Sequence, residues 1–203
     1  MLSAVIKPKF SAIVYLLALL LSLPCMAQAD ARADGERGIA EYRKGNLIEG
    51  MQLLNKSAQQ GYIPAQTTLA YILDAAEKND EAFYWYQQAA DRNDAAGLFG
   101  LGSMYGKGEG TDRDPVKSGQ LIERAAQLGH VEAMRVYAHA LEHGQLGLAA
   151  DPGSAADWYL KAAELGNKMS MHRLKLAYSL GQLGLPIDPE RAEVWAERTK
   201  GAE

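Results

Sequence analysis

The sequence predicts an all-α fold, an α-solenoid of about five antiparallel helix pairs, on three observations. A set of marker residues, Leu141, Gly144, Gly147, Asp151, Pro152 and Trp158, returns 37 positions later as Tyr178, Gly181, Gly184, Asp188, Pro189 and Trp195. The string Gly-Gln-Leu-Gly-Leu stands verbatim at 144–148 and at 181–185. One step earlier the same marks appear as Tyr105, Gly108, Gly110, Asp114 and Pro115, with Leu121 in the tryptophan place. A period in the thirties, built from small residues and turn formers, belongs to stacked helical hairpins that are each too thin to bury their own apolar side.

The chain has 203 residues, 48% hydrophobic and 23% charged, the balance of a folded domain rather than a disordered one. Its first 29 residues read as a leader. Lys7 and Lys9 form a basic start, an uncharged apolar run follows from Phe10 to Leu23, Pro24 breaks it, and Ala27-Gln28-Ala29 supplies small residues for cleavage after Ala29. As a helix that run is roughly 21 Å long, short of the ~30 Å hydrocarbon core, so a signal peptide fits better than a retained anchor. Cys25 raises lipidation, but Pro24 stands where such a site wants a small residue.

The expected product is a periplasmic protein covering 30–203, with no stable membrane insertion and no cysteine, held by packing alone. Losing Lys7 and Lys9 takes the net charge from −4 to −6. Without a basic cluster, nucleic acid is not an expected partner.

From Asp30 the pattern reads as five pairs, at 30–60, 63–92, 95–128, 131–165 and 168–200. Within them the expected helices are 30–44 and 47–60, 63–76 and 79–92, 95–107 and 115–128, 131–143 and 152–165, and 168–180 and 189–200. Gly45-Asn46 turns the first pair, and Lys78-Asn79-Asp80 joins the second. Asp114-Pro115, Asp151-Pro152 and Asp188-Pro189 each place a capping carboxylate before a proline at the first helical position. Gly61, Gly129 and Gly166, with Asn93 in the matching place, close second helices through the left-handed conformation.

One slot of each second helix is always small: Gly50, Ala82, Ser118, Ala155 and Ala192. Three residues on stands a large one, Leu53, Trp85, Leu121, Trp158 and Trp195. Four further on come the small pairs Ser57-Ala58, Ala89-Ala90, Ala125-Ala126 and Ala162-Ala163. Such spacings share one helical face, where small residues admit a neighbouring backbone and the ring fills what remains. The tryptophans are therefore expected in the core.

These residues resemble the Sel1-like repeats, relatives of the tetratricopeptide repeat. The likeness is carried by Gly97, Leu101, Gly102, Tyr105, Gly108, Gly110 and Asp114, and by Ala155, Trp158, Tyr159, Ala162, Ala163 and Gly166, and it extends over about 40–200. Three departures stand out. The 63–92 pair lacks the glycine-rich loop, Lys175 takes a place held by Ala70, Gly102 and Ala138, and Thr199-Lys200 replaces the alanine pair, as expected of a water-facing terminal cap.

The resemblance implies a right-handed superhelix whose first helices line a concave surface, used by scaffolds or adaptors to hold a protein or peptide. Carried over by position, the inward residues are Thr67, Tyr71 and Asp74; Phe99 and Ser103; Glu132, Arg135, His139 and Glu142; and Met169, His172 and Leu176. Aromatics and Met offer apolar anchors, Arg135 a site for a carboxylate, and the acids a site for a basic side chain.

An alternative is a metal-binding or metal-delivery module. His139 and His143 are i and i+4 on one face, His172 lies on the next first helix, and with Glu142 they suggest a site for a divalent metal such as zinc, nickel or copper. No cofactor is otherwise expected. A more remote alternative is an envelope hydrolase, as assigned to some cysteine-rich relatives. The chain has neither their disulfides nor a Ser-x-x-Lys motif, and no Gly-x-Ser-x-Gly elbow, so no enzyme activity is expected.

Overall fold

The computed structural model describes residues 30–201. Among them are ten helices and no strand: α1 over 30–43, α2 Leu47–Gln59, α3 Ile63–Ala75, α4 Asn79–Ala90, α5 Ala95–Lys107, α6 Pro115–Gln127, α7 Val131–His143, α8 Pro152–Glu164, α9 Lys168–Leu180 and α10 Pro189–Lys200. The expected leader, its cleavage after Ala29 and Cys25 lie outside the described residues. No described helix is long and apolar enough to cross a membrane.

All ten expected helices are present, and several end one or two residues early. At three of these ends the chain tightens before its closing glycine: the N–H groups of Gly61, Gly129 and Gly166 bond the carbonyls of Ala58, Ala126 and Ala163, three residues back, each at 3.0 Å. Asn93 takes the same left-handed conformation at φ 59°. The second pair's turn also differs from expectation. Glu77 is its left-handed residue at φ 58°, while α4 begins at Asn79 as expected.

The described residues divide into two compact units, one ending at Leu69 and the other beginning at Ala70. In the first, α1 and α2 pack through small residues. A Cβ on Gly50 would lie 2.7 Å from the Tyr42 backbone nitrogen, and one on Gly38 would lie 2.9 Å from that of Leu54. The buried Ser57 hydroxyl donates to the Ala31 carbonyl at 2.5 Å, and the Gln66 amide donates to that of Ala58 at 3.1 Å.

In the second unit each helix from α4 to α10 packs on the next, giving stacked antiparallel pairs. The small slots Ala82, Ser118, Ala155 and Ala192 are all buried, as are Ala89, Ala90, Ala125, Ala126, Ala162 and Ala163. Trp195 is buried, and Trp85 and Trp158 are half-buried, Trp158 meeting Tyr137 edge to face at 5.5 Å. The Asp-Pro caps form as expected, the carboxylates of Asp114, Asp151 and Asp188 accepting from the N–H groups of Lys117, Ser154 and Arg191.

The repeated loop has a form that composition did not suggest. Leu146 and Leu183 adopt φ 54° and 57°, a conformation that costs roughly 1–2 kcal/mol outside glycine. Burial of Leu183 offsets that cost at the second of them. Each loop is tied shut by the N–H of its capping aspartate, Asp114, Asp151 or Asp188, donating at 2.8 Å to the carbonyl of Tyr105, Leu141 or Tyr178.

Candidate partner-binding surface

The first helices α3, α5, α7 and α9 each run 13 residues, so positions along them can be matched by number, although α3 is divided between the two units. The fifth positions are Thr67, Phe99, Arg135 and His172, the ninth are Tyr71, Ser103, His139 and Leu176, and the twelfth include Asp74 and Glu142. Asp94, His130 and Asn167 cap α5, α7 and α9 with side-chain acceptors.

The expected binding residues fall into two groups. Tyr71 and Met169 stand free of the fold at 68% and 63% exposure, and His139, His172 and Leu176 are also exposed. Asp74 is half-buried, with no ion pair or hydrogen bond to its carboxylate among the described residues. The others are engaged within the chain. Thr67, in the first unit, turns its hydroxyl back to the Ile63 and Pro64 carbonyls at 3.3 Å, and Ser103 donates to Phe99 at 2.9 Å. Phe99 stacks on the His130 ring at 4.6 Å between centroids.

Arg135, expected to meet a partner's carboxylate, already holds Glu132 at 2.5 and 2.8 Å. Asn167 reaches the same carboxylate at 3.2 Å. Glu142 accepts from Arg173 at 2.5 and 3.1 Å and from the Tyr159 hydroxyl at 3.0 Å. Burial alone would raise the Glu142 carboxyl, but hydrogen bonds from Arg173 and Tyr159 outweigh it and hold the group below its ordinary range. Arg173 continues to Gln182 at 2.9 Å.

His139 and His143 stack with centroids 4.3 Å apart, and the His143 Nδ1 lies 3.0 Å from the His139 carbonyl. Burial and then the neighbouring His143 lower the His139 imidazole, favouring its neutral form. His172 does not complete a metal site with them: among the described residues, no three His, Cys, Asp or Glu side chains are grouped to hold an ion.

Sequence reasoning missed Arg173, Tyr159, Asn167, Gln182 and His130. The signal for Arg173 lay in comparing repeats, since the sixth position of successive first helices reads Gly100, Val136, Arg173. For His130 it was the place one residue before α7, where Asp94 and Asn167 stand before α5 and α9.

The model of the Sel1 repeat matches five times, at residues 35–62, 74–94, 95–130, 131–167 and 170–199. The chain belongs to the Sel1 repeat family. The uncharacterized protein NMB1327 of Neisseria meningitidis serogroup B is 36% identical over 139 residues, covering 66% of this chain and 29% of that protein. The ERAD-associated E3 ubiquitin-protein ligase component HRD3A of Arabidopsis thaliana is 29% identical over 135 residues, covering 58% of this chain and 20% of its own. This Sel1 repeat chain thus spans less than a third of the length of either relative. The crystal structure of a Sel1 repeat protein from Oxalobacter formigenes superposes with a TM-score of 0.72 at 27% identity, covering 95% of this chain and 79% of that one. It shares the stacked-pair architecture described above.

Proposed function

We propose that this protein is an exported scaffold or adaptor that captures a protein or peptide on the face formed by its first helices, in the periplasm. The observation that carries the reading is that Tyr71, His139 and Leu176, each the ninth residue of its helix, are exposed, as are Met169 and His172 on α9. A surface with a few large apolar anchors among polar groups suits protein capture, because binding energy is concentrated in such residues. Sel1 repeats mediate protein–protein interaction, and the component role in HRD3A's description is in keeping with this. No catalytic step is part of the reading. The location rests on the leader-like start, with Lys7, Lys9 and the apolar run before Ala29.

The test is site-directed photo-crosslinking in the envelope. A photoreactive residue in place of Tyr71, His139 or Met169 is expected to trap a common partner, whereas one in place of Tyr84, Val116 or Val194 on second helices traps none. Equal trapping at both sets removes the first-helix face from the reading. Recovery of the protein with residues 1–29 intact in the cytoplasm removes the location.

The stacked His139–His143 pair favours a second reading, in which the two imidazoles and a ligand brought by the partner take a divalent metal. Calorimetric titration with zinc, copper and nickel, repeated on a His139→Ala variant, decides it.

A further inference from the structure

We propose that Asp74 and Tyr86, with the Tyr71 ring beside them, form a receptor for an arginine side chain of the partner. The proposal rests on the reading of the first-helix face as a binding surface, and names the chemistry that one part of it selects.

Successive repeats of the chain can be compared with one another. Each junction between successive pairs involves three matching positions: the twelfth of a first helix, the eighth of the following second helix and the sixth of the next first helix. From the second pair to the fifth, the three junctions give the sets Asp74–Tyr86–Gly100, Gly106–Ile122–Val136 and Glu142–Tyr159–Arg173. An acid and a tyrosine occur together in the first and last, and both give way to apolar or small residues in the middle. In the last set the structure shows what the combination does, because Glu142 receives the Tyr159 hydroxyl at 3.0 Å and the Arg173 guanidinium at 2.5 Å.

The first set has the same acid and phenol but no cation. Tyr86 is 6% exposed, and its hydroxyl has no hydrogen-bond partner among the described residues. Burial, and then the nearby Asp74 and Tyr71, push that hydroxyl's pKa up. The oxygens of Asp74 and Tyr86 are not sealed from solvent, so both remain reachable by a cation in the place that the last set gives to an arginine. The chain cannot supply that arginine from position 100. The Tyr86 ring lies directly on Gly100, and a Cβ there would run into it. A cation from outside can reach this place, because Asp74 is half-buried and Tyr71 exposed.

Arginine fits better than lysine. Its planar fork bonds a carboxylate with two parallel N–H groups and can stack on an aromatic face at the same time. The chain's negative net charge also favours approach of a basic segment.

The test is a titration of the isotope-labelled protein with the blocked tripeptide acetyl-Gly-Arg-Gly-amide and with its citrulline analogue, the uncharged isostere. Saturable amide shifts are expected at Tyr71, Asp74, Tyr86 and Gly100 with the arginine peptide and not with citrulline. Asp74→Asn should weaken binding about ten-fold, the loss of one charge-assisted contact, while Asp157→Asn, exposed on α8, leaves it unchanged. Equal response to citrulline, no saturable shift at these residues, or indifference to Asp74→Asn overturns the arginine site. Selection of displayed peptides on the protein separates the two failures. Enriched peptides that lack arginine and ignore Asp74→Asn defeat the receptor and leave the face a binding surface. If nothing is enriched and the tripeptide shifts nothing, both readings fall.

Discussion

Arg173 and Glu142, 31 residues apart in sequence, form a two-pronged ion pair that joins the fourth helical pair to the fifth. Both side chains are largely shielded, at 20% and 14% exposure, and Tyr159 supplies a further hydrogen bond. A shielded, charge-assisted fork of this kind contributes more than a surface pair does.

Arg173→Ala is therefore expected to lower the unfolding free energy by about 2 kcal/mol, with Arg173→Lys losing less. The Glu142 carboxyl sits below its ordinary 4.5 in the folded protein. A depressed carboxyl gives stability that is whole above that value and is lost as pH falls through the lower folded one. The gap between native protein and Arg173→Ala should narrow on acidification. Urea unfolding across a pH series measures it, and a gap independent of pH would contradict the pairing.

His130 caps α7 by accepting the Ala133 N–H on its Nδ1 at 3.1 Å, which requires the neutral ring with its proton on Nε2. Burial lowers this imidazole despite opposing influence from Glu132 and Asp94. The folded state thus binds the proton less readily than the unfolded one. The cap's contribution is whole above about pH 6.5 and is lost as pH falls through the folded value. His130→Ala should cost about 1 kcal/mol at neutral pH, and His130→Asn should restore the cap without that pH dependence. A ring titration followed by nuclear magnetic resonance with a midpoint at or above 6.5 would count against this account.

Gly119 on α6 lies against the carbonyl of Leu146 in the next pair's loop, so close that an added Cβ would collide with it. Gly119→Ala should destabilise by about 1–3 kcal/mol through overpacking, although alanine is the better helix former. Thermal unfolding of the purified variant checks the sign. A rise in Tm would show that the loop moves aside freely.

Much of this architecture was legible because it depends on local chemistry repeated at fixed spacing. Asp114, Asp151 and Asp188 act as caps because each precedes a proline, and no distant contact is needed to see it. The small slots Ala82, Ser118, Ala155 and Ala192 are buried for the same periodic reason. The surface was less legible, since exposure depends on what each side chain finds across the junction. Glu132, Arg135 and Glu142 read as charges awaiting a partner, but Asn167 and Arg173 on the neighbouring pair claim two of them and Arg135 pairs with Glu132. Leu146 and Leu183 lie in a verbatim repeat, yet nothing in their residue type signals a left-handed backbone.

That division yields a test of the binding face in which stability and binding separate. Tyr71→Ala and Met169→Ala remove side chains more than 60% exposed, so each should change stability by less than about 0.5 kcal/mol. If these are anchors, each should weaken binding of a partner or a display-selected peptide by about ten-fold or more. Phe99→Ala and Arg135→Ala behave differently, because one uncovers the His130 ring and the other leaves Glu132 without its ion pair. Those two should lower Tm whether or not they touch the partner, and Val194→Ala on α10 should alter neither quantity. Thermal unfolding and a binding isotherm on the same five variants give both readings. Binding indifferent to Tyr71 and Met169 but lost with Val194 would move the partner to the second-helix face, because only a contact there couples an exposed α10 side chain to capture.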